Sequence, residues 1–466
     1  MKVLYNPNHP LMQSLSLSLA ITGALFLAAI ILMAITQAAL GSPLFFACAG
    51  AAGIAYLAML ARIWHEDHAP RRLLIAAFML AVAFRAPLVF QRVGPDSDMV
   101  RYLWDGRVQT LGYDPYLVLP ADPAMAGTHT KETRRMPSLR TPTPYPPGAQ
   151  LFFRLVVSIH DSTRAMKAAL VACDLLTIIV LWRWLAFTRR REWLALAYAW
   201  NPLVVLEIAH SGHIDVVGAL WIAASAYWLA RRRTALASIA FVLAVATKLL
   251  PIVLLPLYWR RVRLRDGLLG CALFALLYLA FTHGGALPLG AVPNVVAYIR
   301  FNGPVFKFIA DLSNPQVAAL IAVALGMLAA GWARRRLDAG DPAAWAWPMA
   351  IALVCAPVIY PWYLLYLTPF LFSVATLPLT AWSFSVISTY VVWHLSRHGG
   401  RWIVPRSIVL VEFAVPIAAI AALVWRRADL ARRAANSPVE AGRAAPNLVE
   451  PGRTAHNPKE PIIPRA

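Results

Sequence analysis

Residues 94–115 read GPDSDMVRYLWDGRVQTLGYDP. They bring together three carboxylates, Asp96, Asp98 and Asp105, with Arg101, Arg107, Tyr102 and Trp104. Asp96 and Asp98 are two residues apart, and an extended backbone points such a pair the same way. The pair could hold a divalent cation, or one carboxylate could act as general base while the other tunes its pKa. Asp105 follows Asp98 by seven residues, two helical turns later and near the same face. Arg101 offers an anion contact, and Tyr102 and Trp104 offer flat surfaces on which a sugar ring stacks. The competing reading is a solvated helix N-terminus whose aspartates cap the helix and complement its dipole.

A second constellation, NPLVVLEIAHSGHIDVVG, holds Glu207, His210, His213 and Asp215. Imidazole with carboxylate suits several metals, but this spacing is no diagnostic zinc motif. Polar lining of an outward cavity is the preferred reading. Asp174, Glu207 and Lys248 are ionisable residues inside apolar runs, where such groups normally face a bundle interior or a water-filled cavity. Lys248 in TKLLP could meet a lipid phosphate or snorkel to the interface. Asp174 has Lys167 two turns earlier as a candidate partner. In VIYPWYLLYLTPF, Tyr360, Trp362, Tyr363 and Tyr366 read as an interfacial aromatic belt, with Pro361 and Pro369 breaking or kinking the helices.

These groups must be positioned by an unusually apolar chain. Its 466 residues are 60% hydrophobic and only 14% charged, with a mean hydropathy of +0.60. The apolar runs are continuous rather than alternating, which predicts an all-α polytopic membrane protein and excludes a β-barrel. Candidate spans are 15–40, 43–61, 72–91, 165–187, 193–209, 214–230, 234–247, 249–259, 266–282, 312–332, 343–360, 362–377, 379–396 and 405–425. Some are short or could pair as re-entrant hairpins, so 12–14 membrane segments are expected.

The net charge of +21 resembles a nucleic-acid signal, but the arginines cluster between apolar runs, so no nucleic acid is expected. With the N-terminus inside, Arg71–Arg72, Arg189–Arg191, Arg231–Arg233, Arg260–Arg265, Arg334–Arg336 and Arg426–Arg427 all fall on the cytoplasmic side. Residues 92–164, His210–His213 and Trp362 then face outward. Within the 92–164 loop, Met99–Leu111 forms a short amphipathic run expected to lie in the interface as a helix. Four scattered cysteines inside apolar runs read as free thiols. Residues 1–430 read as one membrane-embedded domain and 431–466 as a disordered basic tail. No internal repeat is visible.

The order of the motifs carries a resemblance. RYLWDGRVQTLGYDPY is followed by TPTPYPPGAQLF, NPLVVLEIAHSGHIDVVGAL, ATKLLPIVLLPL and YPWYLLYLTPFL. Over roughly residues 70–375 the chain resembles the GT-C superfamily of integral-membrane glycosyltransferases. Within it the resemblance is to bacterial polyprenol-phosphate-mannose-dependent α-1,6-mannosyltransferases and glycosyltransferase family 87. RYLWDG and YPP are the specific elements; the later ones are largely hydrophobic.

The resemblance implies a GT-C-like bundle with a helical outer catalytic loop in the bacterial inner membrane. It implies a polyprenyl-phosphate sugar donor, a glycan or glycolipid acceptor and surrounding membrane lipids as partners. An outer-loop aspartate then deprotonates the acceptor hydroxyl and configuration inverts. Asp98 matches that residue by its offset to RYLWDG, with Asp96 the runner-up; the pair is also the place for a possible divalent cation. The implied substrate-binding set is Arg101, Tyr102, Trp104, Asp105, Tyr145, His210, His213, Asp215, Lys248 and Trp362. The chain departs from the pattern in its Ser97–Asp98 pair, where relatives often carry consecutive acids, and in two extra spans before the loop. Two rivals fit the same helices: a lipid-linked sugar transporter or flippase, and an O-antigen-ligase-like transferase with a diphosphate-linked donor.

Overall fold

The computed structural model of the chain describes residues 10–66, 70–94, 97–283 and 287–435. Asp96 lies outside the described residues, as does the expected tail from residue 436 onward. The chain divides into two compact units, residues 1–419 and 420–466. The second is helical as far as it is described, to Ala435.

The described residues form helices and no strand. The labelled helices are α1 (Pro10–Ile35), α2 (Pro43–Trp64), α3 (Arg71–Val89), α4 (Asp98–Thr110), α5 (Pro147–Ile159), α6 (Thr163–Phe187), α7 (Asp215–Ala230), α8 (Thr234–Thr247), α9 (Leu264–Leu279), α10 (Pro315–Arg336), α11 (Pro342–Val354) and α12 (Arg406–Ala435). Among the described residues seven helical stretches are long and apolar enough to cross a membrane, and four shorter apolar helices accompany them. The protein is an all-α polytopic membrane protein.

Helix starts are written locally. Ser42 caps α2 and Asn314 caps α10, each followed by a proline whose missing N–H costs nothing there. Ser162 Oγ accepts from Ala165 N at 3.1 Å to start α6. Helix ends are less ordinary. Arg189 and Arg232, just past α6 and α7, adopt φ of 54° and 58°. Their turns close with Arg190 N to Leu185 O and Arg233 N to Trp228 O, both 2.9 Å. A left-handed backbone costs roughly 1–2 kcal/mol for any residue but glycine.

Three expected spans are not continuous helices. Residues 193–209 form short turns interrupted at Pro202 and ending in a wide π turn, Leu206–His210. Residues 249–259 break at Pro251 and Pro256, and 362–377 form a chain of 3₁₀ turns around Pro369. Irregular backbone survives at membrane depth only where protein covers it. That condition holds, because Trp193–Ala209 is buried throughout. Apolar run length marks such a segment as a span but cannot tell a lipid-facing helix from an interior strand of turns.

The interior is close-packed around α7, whose Gly218 has no room for a side chain. A Cβ there would stand 2.0 Å from the Tyr366 hydroxyl. A buried ion pair, Arg85 with Asp174, joins α3 to α6. The Nε of Arg85 donates to one carboxylate oxygen and Nη2 to the other at 3.2 Å. Its Nη1 donates to Ala81 O at 2.7 Å and Ala199 O at 2.9 Å. Asp174 therefore does not pair with Lys167. The Lys167 ammonium instead caps the end of α3, donating to Leu88 O at 3.0 Å and Gln91 O at 3.2 Å. A helical interval of seven residues gave the two a shared face, but α3 supplied a nearer guanidinium.

Removing one partner of a buried pair strands the other charge, at roughly 3–5 kcal/mol. Arg85→Met and Asp174→Leu should each lower the thermal unfolding midpoint of detergent-purified protein sharply. The double variant should recover part of the loss, because no charge is then left unpaired.

Candidate active site

Helix α4 begins at Asp98, with Ser97 as its N-cap. The expected amphipathic run is thus a helix, shifted by one residue. Asp98 occupies the first turn, where a carboxylate complements the helix dipole. It is half-buried, and no described residue donates a hydrogen bond to it. Its charge acts on Tyr102 and Tyr145 and reaches Asp215, Tyr360 and Tyr363. Segments far apart in sequence therefore converge on this one carboxylate.

What holds α4 in place is Asp105, which is fully buried. It accepts from Arg101 Nε at 2.6 Å, Thr143 Oγ1 at 2.6 Å and Gln150 Nε2 at 3.0 Å. Gln109 donates to Gln150 O at 3.0 Å, closing a polar seam between α4 and α5. The two helices touch at Gly106, where a Cβ would meet Phe153 O at 2.7 Å. Arg101 also donates to Thr141 O at 3.1 Å and lies over the Trp104 ring at 5.3 Å.

Asp105, Arg101 and Trp104, all expected in the substrate-binding set, lie inside the protein. Asp105 shares the helix with Asp98 but faces protein, not substrate. Arg101 is buried, with Nε on Asp105, Nη1 on the Thr141 carbonyl and Nη2 without a hydrogen-bond partner among the described residues. Trp104 is fully buried, stacked on His129 at 5.8 Å with its N–H on Thr128 Oγ1 at 2.9 Å. Its faces are already covered and cannot receive a sugar. Spacing revealed a common helix but not which side of it was inside.

Tyr102 and Tyr145 form the floor beneath Asp98. Their rings meet edge-on at 5.0 Å, and Tyr102 stacks on Phe153 at 4.5 Å. Burial first, then the Asp98 charge, pushes both phenols well above their ordinary pKa. Both stay protonated. The Tyr102 hydroxyl accepts from Ile214 N at 3.4 Å, which ties α4 to the start of α7.

Asp215 opens α7 and is fully buried. Lys248, at the end of α8, donates to its two oxygens at 2.7 and 2.9 Å. The ammonium also sits 4.1 Å from the centre of the Tyr363 ring. Lys248 is thus placed by a carboxylate and an aromatic face, not by snorkelling alone. Its position at a helix C-terminus adds a favourable dipole contact.

The π turn aims Glu207 inward. Glu207 accepts from the Tyr390 hydroxyl at 2.7 and 2.8 Å and lies 2.9 Å from His213 Nδ1. His213 stacks on Trp362 at 4.0 Å and 13°, and Trp362 stacks on Tyr360 at 4.4 Å and 17°. Trp362 is flanked by two near-parallel rings, so it stiffens the wall and leaves no free stacking face. His210 stands apart from this stack, with Nδ1 at 3.3 Å from Ser211 Oγ. Among the described residues no group of three or more His, Cys, Asp or Glu is placed to hold a metal ion. The four cysteines are free.

Glu412 was not singled out from the sequence. It is a lone carboxylate in the apolar run SIVLVEFAVPIAAI, the same signal that marked Asp174 and Glu207. In the fold it is fully buried on α12. It accepts from Asn302 Nδ2 at 2.7 Å and Trp382 Nε1 at 3.3 Å. Asn302 in turn clasps the backbone of Ile359, giving Nδ2 to its carbonyl and taking its N–H, both at 2.9 Å. Ile359 precedes Tyr360, Pro361 and Trp362, so Glu412 steadies the wall from behind. Replacing it by glutamine turns one acceptor into a donor, and leucine removes both acceptors. Each stranded buried donor costs roughly 1–3 kcal/mol. Thermal unfolding should rank wild type above Glu412→Gln and Glu412→Gln above Glu412→Leu.

Residues 13–262, more than half of the chain, match the family model described as alpha-(1->6)-mannopyranosyltransferase, N-terminal domain. No curated protein and no solved structure matches the chain.

Proposed function

The chain belongs to the alpha-(1→6)-mannopyranosyltransferase family and is a membrane mannosyltransferase; from that premise we propose that Asp98 is the general base of an inverting transfer from a polyprenyl-phosphate-linked mannose. The acceptor is a cell-envelope glycan or glycolipid. The single observation that carries this reading is the state of Asp98. It is the carboxylate of the cluster left without a described hydrogen-bond donor, whereas Asp105 and Asp215 are each tied up by two or more bonds. A base needs a free lone pair within reach of the hydroxyl it deprotonates.

The steps balance simply. Asp98 takes the proton of the acceptor hydroxyl as its oxygen forms a bond to the anomeric carbon. The bond from that carbon to the phosphate oxygen breaks, and the polyprenyl phosphate departs with the electron pair. Attack opposite the leaving group inverts the configuration. Lys248 supplies the cation where phosphate charge develops, with Asp215 and Tyr363 fixing its place. Tyr102 and Tyr145, held protonated, offer hydroxyl donors beside the reacting oxygens. His213, steadied by Glu207 and Trp362, lines the same side. Holding donor and acceptor in line supplies much of the rate.

Sidedness follows from the arginines. Asp215 and Arg231 mark opposite ends of α7, about 24 Å apart at 1.5 Å per residue. Arginine-rich loops stay in the cytoplasm, so we read the Asp98 end as the periplasmic or outer face of a bacterial inner membrane.

Incubation of purified protein with labelled polyprenyl-phosphate mannose and a glycan acceptor tests the proposal. Asp98→Asn should lower kcat by about 10²–10⁴-fold with donor binding retained, while Asp96→Asn should be milder. Unimpaired turnover by Asp98→Asn would remove the base from this position. Movement of the lipid between leaflets with no mannosylated product would remove the assignment of a transfer reaction.

A further inference from the structure

Arg189, Arg232 and Arg260 share an odd placement. Each sits in the left-handed region just past a helical segment, with φ between 54° and 58°, where glycine is the unstrained choice. The turns close through backbone bonds that need no side chain. Arginine weakens these turns, and what it adds is a cation at the end of the bundle remote from Asp98.

At Arg260 that cation borders a cavity of about 500 Å³, lined by Pro256, Trp259, Arg260, Gly331, Arg334 and Arg335. The lining carries three cations and no acid. Arg334 Nε donates to Trp259 O at 2.8 Å, which fixes the guanidinium to the turn and leaves its outer nitrogens directed elsewhere. Neighbouring Arg261 is not in the lining and donates to Leu337 O at 2.6 Å and Arg334 O at 3.5 Å. Gly331 keeps the floor open, since a Cβ there meets nothing nearer than Pro256 at 4.0 Å. Trp259, in the lining, is 72% exposed, and Trp332, next to Gly331 on α10, is 61% exposed. Exposed indoles beside arginines at a helix end are the chemistry of the membrane interface.

We propose that this cleft is a binding site for the phosphate of an anionic phospholipid headgroup in the leaflet opposite Asp98. The guanidinium forks of Arg260, Arg334 and Arg335 receive the phosphate oxygens. Trp259 lies along the glycerol and upper acyl chain. A free phosphate ion has no use for an exposed indole beside the arginines, which is why the lipid is the chosen source. The site is independent of the chemistry at Asp98, so either can fail alone.

The test uses a substitution that relaxes the backbone while removing the charge. Full-length protein in neutral detergent is titrated with phosphatidylglycerol, and separately with inorganic phosphate, while the thermal unfolding midpoint is followed. Phosphatidylglycerol should raise the wild-type midpoint, and phosphate at equal concentration should not. Arg260→Gly and Arg335→Gln should each weaken the lipid's apparent affinity about fivefold, and together about 25-fold. Without lipid, Arg260→Gly should unfold at the wild-type temperature or above, because glycine relieves the turn. The proposal is overturned by a wild-type midpoint indifferent to the lipid, by an equal response in the double variant, or by inorganic phosphate reproducing the shift.

Discussion

A carboxylate sealed inside protein must be matched bond for bond, and Asp105 is the place where that requirement shapes this molecule. Its oxygens accept from Arg101, Thr143 and Gln150, three residues on three successive parts of the outer loop. Satisfying it fixes the distance between α4 and α5 and the path of the chain that joins them. The Gly106 contact allows the two helices to close on each other. Asp98 inherits its position from this arrangement. It stands at the N-terminal end of a helix whose Trp104, Asp105 and Gln109 are hydrogen-bonded to other parts of the loop.

The same requirement recurs deeper in the bundle, with a different solution at each place. Arg85 and Asp174 neutralise each other between α3 and α6. Lys248 and Asp215 form a second pair, close enough to the site that its cation can serve chemistry as well as structure. Glu207 is met by a tyrosine and a histidine, and Glu412 by an amide and an indole. Tyr390 donates the hydrogen bonds that hold Glu207, and Asn302 and Trp382 those that hold Glu412. Each network reaches the Tyr360–Trp362 wall from a separate direction, Glu207 through His213 and Glu412 through Asn302 and Ile359. A wall braced from two sides gives a substrate a surface that does not yield.

Much of this was legible in the chain. Continuous apolar runs announced the helices, and the Met99–Leu111 run announced α4 almost to the residue. Illegible was the inward or outward sense of α4, because a helix buried on nearly every side has no apolar stripe to read. For that reason the burial of Trp104, Arg101 and Asp105 could not be read from the sequence. The broken segments around Pro202, Pro251 and Pro369 looked like spans, since hydrophobicity reports burial and not what does the burying. Arg85 and Glu412 carried a clear signal, a single charge within an apolar run, and their partners could be found only in three dimensions.

The account stands on where one carboxylate lies relative to two bound substrates. A structure of the protein with a non-transferable polyprenyl-phosphate mannose analogue and an acceptor glycan measures this directly. It should place an Asp98 oxygen within about 2.6–3.2 Å of the attacking hydroxyl, with the phosphate on the opposite side of the anomeric carbon and facing Lys248. A complex in which another side chain holds that hydroxyl, or in which the donor sugar binds at the arginine-rich end, would contradict it.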